Sequence, residues 1–276
     1  MFNWREWDSH KQRWGTAVLM ATPVVAVLIA GPYWLWWALV CLLAGVGLWE
    51  YQNMVFHKGL PPRWQAFYVS SGLLVPCGAF WLGPAGFHAG VYLVLFAAFV
   101  GTLLITPQDA DAISRLGKFV LGWLYIPYLL SYVLLIGRMD MAARWIFLAL
   151  TVTIANDAGA YYCGKFYGRR KLYEVVSPKK TIEGSVGGIA GGMIAGTCFG
   201  LLFLPAASVA QLLLLSLGLT LVGQVGDLIE SMLKRISGVK DSSQLLPGHG
   251  GLLDRLDSLL FVFPVVWFFV NWIVIS

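Results

Sequence analysis

Residues 15–50 read GTAVLMATPVVAVLIAGPYWLWWALVCLLAGVGLWE, two apolar runs separated only by Gly31-Pro32. A helix needs about 20 mostly apolar residues to cross the hydrocarbon core of a bilayer. Both runs approach that length without a Lys or Arg, and Gly-Pro is a turn signal. The stretch therefore predicts two membrane-spanning helices, at 15–31 and 33–50. Further candidate spans lie at 66–83, 88–106, 117–136, 143–161, 185–204, 207–226 and 258–275. The expected fold is an all-α polytopic integral membrane protein with about nine transmembrane helices.

Composition supports that solvent. The chain has 276 residues, 58% hydrophobic, 14% aromatic and only 12% charged, with thirteen tryptophans. Its mean hydropathy is +0.73. Soluble domains carry about twice that share of charge, so a soluble enzyme, a disordered chain and a fibrous protein are excluded. The net charge of +5 is not a nucleic-acid signal, because Lys and Arg collect in short loops between apolar runs. Cys41, Cys77, Cys163 and Cys198 lie in or beside apolar runs without CxxC spacing, and read as buried apolar residues. No cleavable signal is evident.

Loop charge sets the orientation. Arg5, Lys11 and Arg13 precede the first span. The even-numbered loops carry Lys58 and Arg63, Arg115 and Lys118, Lys165 through Lys180, and Lys234 through Arg255. The loops near Pro32, Pro84 and Pro205 carry neither Lys nor Arg. Basic loops face the cytoplasm, which places the N-terminus inside and the C-terminus outside. Arg138 and Arg144 dissent: either they snorkel to headgroups, or the fifth or sixth span is misplaced. The chain reads as a single membrane domain, with scaffold spans in 1–150 and the chemistry in 151–276, where nearly every unusual polar residue falls.

Asn156-Asp157 ends an apolar run, where an acid must face protein, water or a cation. Ser177-Pro178-Lys179-Lys180-Thr181-Ile182-Glu183-Gly184 reads as a turn followed by a helix capped by Thr181. Adjacent lysines beside free N–H groups at a helix start form an anion site suited to phosphate. The next span carries Gly184, Gly188, Gly192 and Gly196 on one face, which reads as close helix packing. Asp227, Glu230, Ser231 and Lys234 fall at i, i+3, i+4 and i+7, one helical face offering a metal ligand, a hydroxyl and a phosphate clamp. The alternative for that face is an amphipathic interfacial helix. Pro247-Gly248-His249-Gly250-Gly251 then makes a turn whose backbone can approach a ligand closely. Asp254 and Asp257 share the face of the helix that follows. Carboxylates without clustered Cys or His indicate a hard cation such as Mg²⁺. His249 is either structural or a ligand contact. Carboxylates for Mg²⁺ with Lys and Arg for phosphate are the requirements of phosphoryl or nucleotidyl transfer.

The stretch from Ser231 through Lys234-Arg235, Lys240-Asp241, Leu246-Pro247-Gly248-His249-Gly250-Gly251 and Asp254-Arg255-Leu256-Asp257 closely resembles the signature of the phosphatidate cytidylyltransferases (CDP-diacylglycerol synthases). Asn156-Asp157, Ser177 to Gly184 and Gln224 to Ser231 resemble the same family in the same order. The resemblance covers about the C-terminal 120 residues, and departs at Ser243, where many members have glycine. It implies condensation of CTP with phosphatidate to CDP-diacylglycerol and pyrophosphate by a homodimeric enzyme that needs Mg²⁺, with K⁺ as a second cation. It carries the metal role onto Asp227, Asp254 and Asp257, with Lys234 beside them in catalysis. Substrate contacts fall on Asp157, Ser177, Lys179, Lys180, Thr181, Ser231, Arg235, Lys240, His249 and Arg255. A bacterial inner membrane with the site facing the cytoplasm is the expected location. Two alternatives stay open: another CTP-using lipid enzyme, such as a polyprenol kinase, or a cation or lipid transporter.

Overall fold

A computed structural model describes residues 9–56, 59–105, 111–246, 248 and 250–274. Pro247 and His249 lie outside the described residues, as do Arg5 and Lys58 of the orientation argument. The described chain is almost entirely helical: α1 Ser9–Ala30, α2 Tyr33–Val55, α3 Pro62–Gly72, α4 Leu74–Ile105, α5 Ala112–Trp123, α6 Leu129–Ile136, α7 Ala142–Tyr167, α8 Ile182–Phe203, α9 Val209–Ile236 and α10 Leu253–Phe269. Among the described residues, seven helical segments are long and apolar enough to cross a membrane. This is an integral membrane protein.

The expected spans 66–83 and 88–106 overlap one apolar helical segment, Pro62–Leu103. That segment contains a reversal at Gly83, whose φ of 63° and ψ of −141° belong to the region that glycine adopts without penalty. Gly78 and Gly86 then meet backbone to backbone, and Gly90 lies against Leu74. The span expected at 207–226 continues as α9 to Ile236, because helix formation does not stop where hydropathy does. A wider turn at Leu124–Tyr128 joins α5 to α6 where Pro127 has no N–H to donate back along the helix, and the Ser131 hydroxyl donates to the Pro127 carbonyl.

The chain divides into two compact units. The first comprises residues 1–135 with 241–255, and the second residues 136–240 with 256–276. In the first unit, Tyr51, Tyr68, Phe119 and Trp123 stack with ring centroids 4.9–6.5 Å apart, and the Trp123 indole donates to the Tyr68 carbonyl at 2.9 Å.

The second unit is built on α7, α8 and α9. Gly184, Gly188, Gly192, Gly196 and Gly200 form a buried stripe on α8. A methyl group on Gly188 would lie 2.8 Å from both the backbone and side-chain oxygens of Asn156, so that glycine lets α7 and α8 touch through their backbones. Arg144, which dissented from the charge pattern, donates to the Phe203 carbonyl at 3.0 Å, satisfying an orphan acceptor at the end of α8. One departure from an all-α chain stands between α7 and α8. Strands β1 (Lys171–Tyr173) and β2 (Ser177–Thr181) pair antiparallel, Tyr173 opposite Ser177 and Lys171 opposite Thr181. The reversal is at residues 174–176, not at Ser177-Pro178.

Candidate active site

A cavity of about 440 Å³ opens in the second unit, lined by α7, the hairpin, and α8 and α9. Asp157, Lys179, Lys180, Thr181 and Asp227 all reach it, so residues chosen from three separate motifs meet there. Lys165, Tyr161, Asn156, Ser185 and Gln224 complete the wall. Each side chain has a local cause. Thr181 caps α8, its hydroxyl accepting the Gly184 N–H at 3.1 Å, and so fixes where the strand becomes a helix. Lys179 and Lys180 precede that cap. Glu183 accepts the N–H groups of Arg169 and Arg170 at 3.0 and 3.2 Å and ties the loop before the hairpin to the helix start. The expected phosphate site at this helix start is therefore corrected in part. The Gly184 amide is satisfied by Thr181, and cationic charge rather than free amides faces the cavity.

The Lys180 ammonium lies 2.5 Å from Asp227 Oδ2, with both side chains partly exposed to the cavity. On the next turn of α9 the Ser231 hydroxyl donates to Asp227 Oδ1 at 3.4 Å, and Lys234 pairs with buried Glu230 at 3.4 Å. A network runs behind them. Gln224 donates to the Asn156 side-chain oxygen at 2.8 Å and to the Ser185 carbonyl at 3.0 Å, while the Ser185 hydroxyl donates to Gln224. This chain of amides satisfies polar groups at membrane depth and orients the turn of α7 that carries Asp157.

α10 brings a third carboxylate. A methyl on Gly226 would lie 2.9 Å from the Asp257 carbonyl, so α9 and α10 touch beside Asp227. Asp257 accepts the Ser258 N–H at 2.6 Å and has Asp227 and Lys234 as charged neighbours. Asp157 has Asp257, Asp227 and Lys180 as its own. Carboxylates from α7, α9 and α10 (Asp157, Asp227, Glu230 and Asp257) and Lys180 and Lys234 thus share one electrostatic neighbourhood. The carboxylate oxygens are of the type that binds hard cations, and the Lys180 ammonium now occupies one of the Asp227 oxygens. Among the described residues, no group of three or more His, Cys, Asp or Glu is close enough to hold a metal by itself.

Other expected site residues are placed differently. Arg235 donates to the Val176 and Val239 carbonyls at 3.4 and 3.3 Å, bracing the hairpin. Ser177 sits in strand β2. Lys240 and Arg255 are exposed, and His249 lies outside the described residues. Asp254 belongs to the first unit, where its Oδ2 accepts the Ser242 N–H at 3.0 Å, the Ser242 hydroxyl at 3.0 Å and the Gly251 N–H at 2.8 Å. Lys165 was missed: its position one turn after Tyr161 on α7 was legible as helical spacing, but its charge was absorbed into the topology signal.

Apolar spans holding a polar cavity with lysines and carboxylates on its wall define a membrane-embedded enzyme that works on anionic phosphate groups. The chain belongs to the cytidylyltransferase family, whose model matches residues 11–273. It is 40% identical over 184 residues to a phosphatidate cytidylyltransferase of Bacillus subtilis (strain 168), covering 65% of this chain and 68% of that protein. A phosphatidate cytidylyltransferase of Synechocystis sp. (strain ATCC 27184 / PCC 6803 / Kazusa) is 36% identical over 290 residues, covering 94% of this chain and 96% of the relative. The uncharacterized protein YnbB of Escherichia coli (strain K12) is 32% identical over 270 residues, covering 94% of this chain and 85% of the relative.

Proposed function

We propose that the protein is a phosphatidate cytidylyltransferase, condensing CTP with phosphatidate to give CDP-diacylglycerol and pyrophosphate. The observation that carries this reading is the Lys180–Asp227 pair on the wall of the cavity, with Asp157 and Asp257 as charged neighbours, in a chain matched by the family model over 11–273. An oxygen of the phosphatidate phosphate attacks the α-phosphorus of CTP. A new P–O–P linkage forms, the α–β P–O bond breaks, and pyrophosphate leaves. The attacking phosphate is already anionic at neutral pH, its second pKa lying near 6 as for a phosphorylated side chain, so a strong general base is unnecessary. The obstacle is repulsion between two anions. Mg²⁺ would be held by Asp227 and Asp257 and would supply positive charge between the phosphates; a metal role for Asp254 rests on the family resemblance alone. Lys179 and Lys180 draw the phosphates into the cavity, and Lys180 exchanges its contact with Asp227 for a substrate oxygen. Ser231 orients Asp227, and Thr181 holds the lysines at the rim.

The test is purified protein in detergent with labelled CTP, phosphatidate and Mg²⁺, the product identified by mass. CDP-diacylglycerol formed without any vesicle gradient is the expected result. No product from phosphatidate, with turnover of a polyprenol or another lipid phosphate instead, would reassign the substrate. Transport without product would reassign the class.

The same reading includes nine crossings, counting α1 and the two limbs on either side of Gly83 separately, with the N-terminus in the cytoplasm and the C-terminus outside. The hairpin then faces the cytoplasm of a bacterial cell. Val175, 83% exposed at its tip, reports on this. A Val175→Cys variant, with the native cysteines replaced, should react with an impermeant maleimide in inverted inner-membrane vesicles and not in intact spheroplasts. The opposite pattern reverses the orientation. A homodimer and a bound K⁺ belong to this proposal through the family resemblance. Residues 151–276 carry the chemistry in it and residues 1–150 the lipid and dimer surfaces, with one exception.

A further inference from the structure

Glu50, near the end of α2, is wholly buried, at 0% exposure. Burying a carboxyl group is costly unless its oxygens are satisfied, and here both are. Oε1 accepts the Ser243 hydroxyl at 2.6 Å and the Leu252 N–H at 2.9 Å. Oε2 accepts the Leu253 N–H at 2.8 Å and lies 3.2 Å from the Ser242 hydroxyl, whose one proton it shares with Asp254 Oδ2 at 3.0 Å. The two amides belong to the start of α10, where N–H groups have no intrahelical acceptor. Glu50 therefore caps that helix from about 200 positions away in the chain. The approach is close: a methyl on Gly251 would lie 2.8 Å from both Glu50 oxygens, so residue 251 must be glycine for the turn to close on the carboxylate. Asp254 takes the other side of the same turn through Ser242 and Gly251. Ser243, the departure from the family pattern, supplies one of the four donors.

We propose that Glu50 is a positioning residue for cytidylyl transfer, seating Ser242, Ser243 and the start of α10 so that Asp254 projects from a fixed helix start. This rests on the function proposed above. A carboxylate suits the task because it accepts four donors and brings none. Glutamine at the same position would set an N–H₂ group against a backbone N–H and break one of the two amide contacts.

The test uses the full chain purified in detergent, comparing wild type with Glu50→Gln. The kcat for CDP-diacylglycerol formation should fall on the order of 10–100-fold, as when a group orienting a metal ligand is lost. The KM for phosphatidate should stay within about twofold. Hydrogen exchange at the Leu252 and Leu253 amides should quicken while the thermal transition persists. A purely structural role would lower stability without changing kcat per folded molecule. Unaltered kcat in the folded variant overturns the proposal. If Glu50→Gln does not fold, Ser243→Ala removes a Glu50 contact that Asp254 does not share, keeps the backbone contacts and should lose roughly threefold or more in kcat, and unchanged kcat there is equally fatal. If wild type itself makes no CDP-diacylglycerol, the proposed function fails. The exchange rates then decide the seating alone, and unchanged exchange in Glu50→Gln overturns it.

Discussion

Asp227→Asn should abolish CTP-dependent turnover in a protein that still folds. The substitution keeps the shape of the side chain and an oxygen for the Ser231 hydroxyl, and removes only the charge. The carboxylate is 30% exposed on the cavity wall, so no tightly packed core depends on it. Its partners are polar and local, Lys180 at 2.5 Å and Ser231 at 3.4 Å. If Asp227 holds the cation that offsets repulsion between two phosphates, several kcal/mol of transition-state stabilisation disappear with it. At 1.36 kcal/mol per decade, about 4 kcal/mol corresponds to ~10³-fold in rate. Product formation by mass and the elution profile in detergent are the two measurements. A near-wild-type rate in a well-folded variant would remove Asp227 from the reaction and with it the proposed cation site.

Lys180→Met should lower kcat/KM for CTP by roughly 10²-fold, about 2.7 kcal/mol. Methionine preserves most of the stem and deletes the ammonium. The contact with Asp227 invites the objection that the two merely stabilise one another. Magnitude answers it, since a partly exposed ion pair contributes only about 0–1 kcal/mol to stability. A loss of two decades in CTP utilisation is too large for that origin. Arginine should restore little, because its planar fork does not reproduce a single-point contact. The double variant Lys180→Met/Asp227→Asn should be no slower than Asp227→Asn alone, since residues acting on one reacting group are not additive. A drop in thermal stability with unchanged kcat/KM would assign the pair to folding instead.

The local placement of several candidate residues is legible in the sequence, because they sit in motifs with a local logic. Asp227 and Ser231 were placed on one helical face by spacing, and they share one. Thr181 was read as a cap and caps α8. Lys179 and Lys180 were read as phosphate contacts, and both reach the cavity. Other cations make protein contacts that their sequence does not announce. Lys234 pairs with Glu230, and Arg235 braces the hairpin through backbone carbonyls, although both looked equally suited to phosphate. A cation in a loop reads the same whether it ends on a carbonyl, a carboxylate or a substrate.

The membrane class, the approximate spans and the order of the polar motifs follow from amino-acid order alone, because hydropathy and helical periodicity are summed over neighbours in the chain. Pairings across long separations do not follow from it. Glu50 closes an apolar run like any residue at a helix end, with no periodicity or motif to mark it. Its role emerges only when residues 242–253 fold against α2 and four donors converge on one carboxylate. The cause is energetic. A buried charge takes its meaning from whichever partners satisfy it, and those partners are chosen by packing rather than by proximity in sequence.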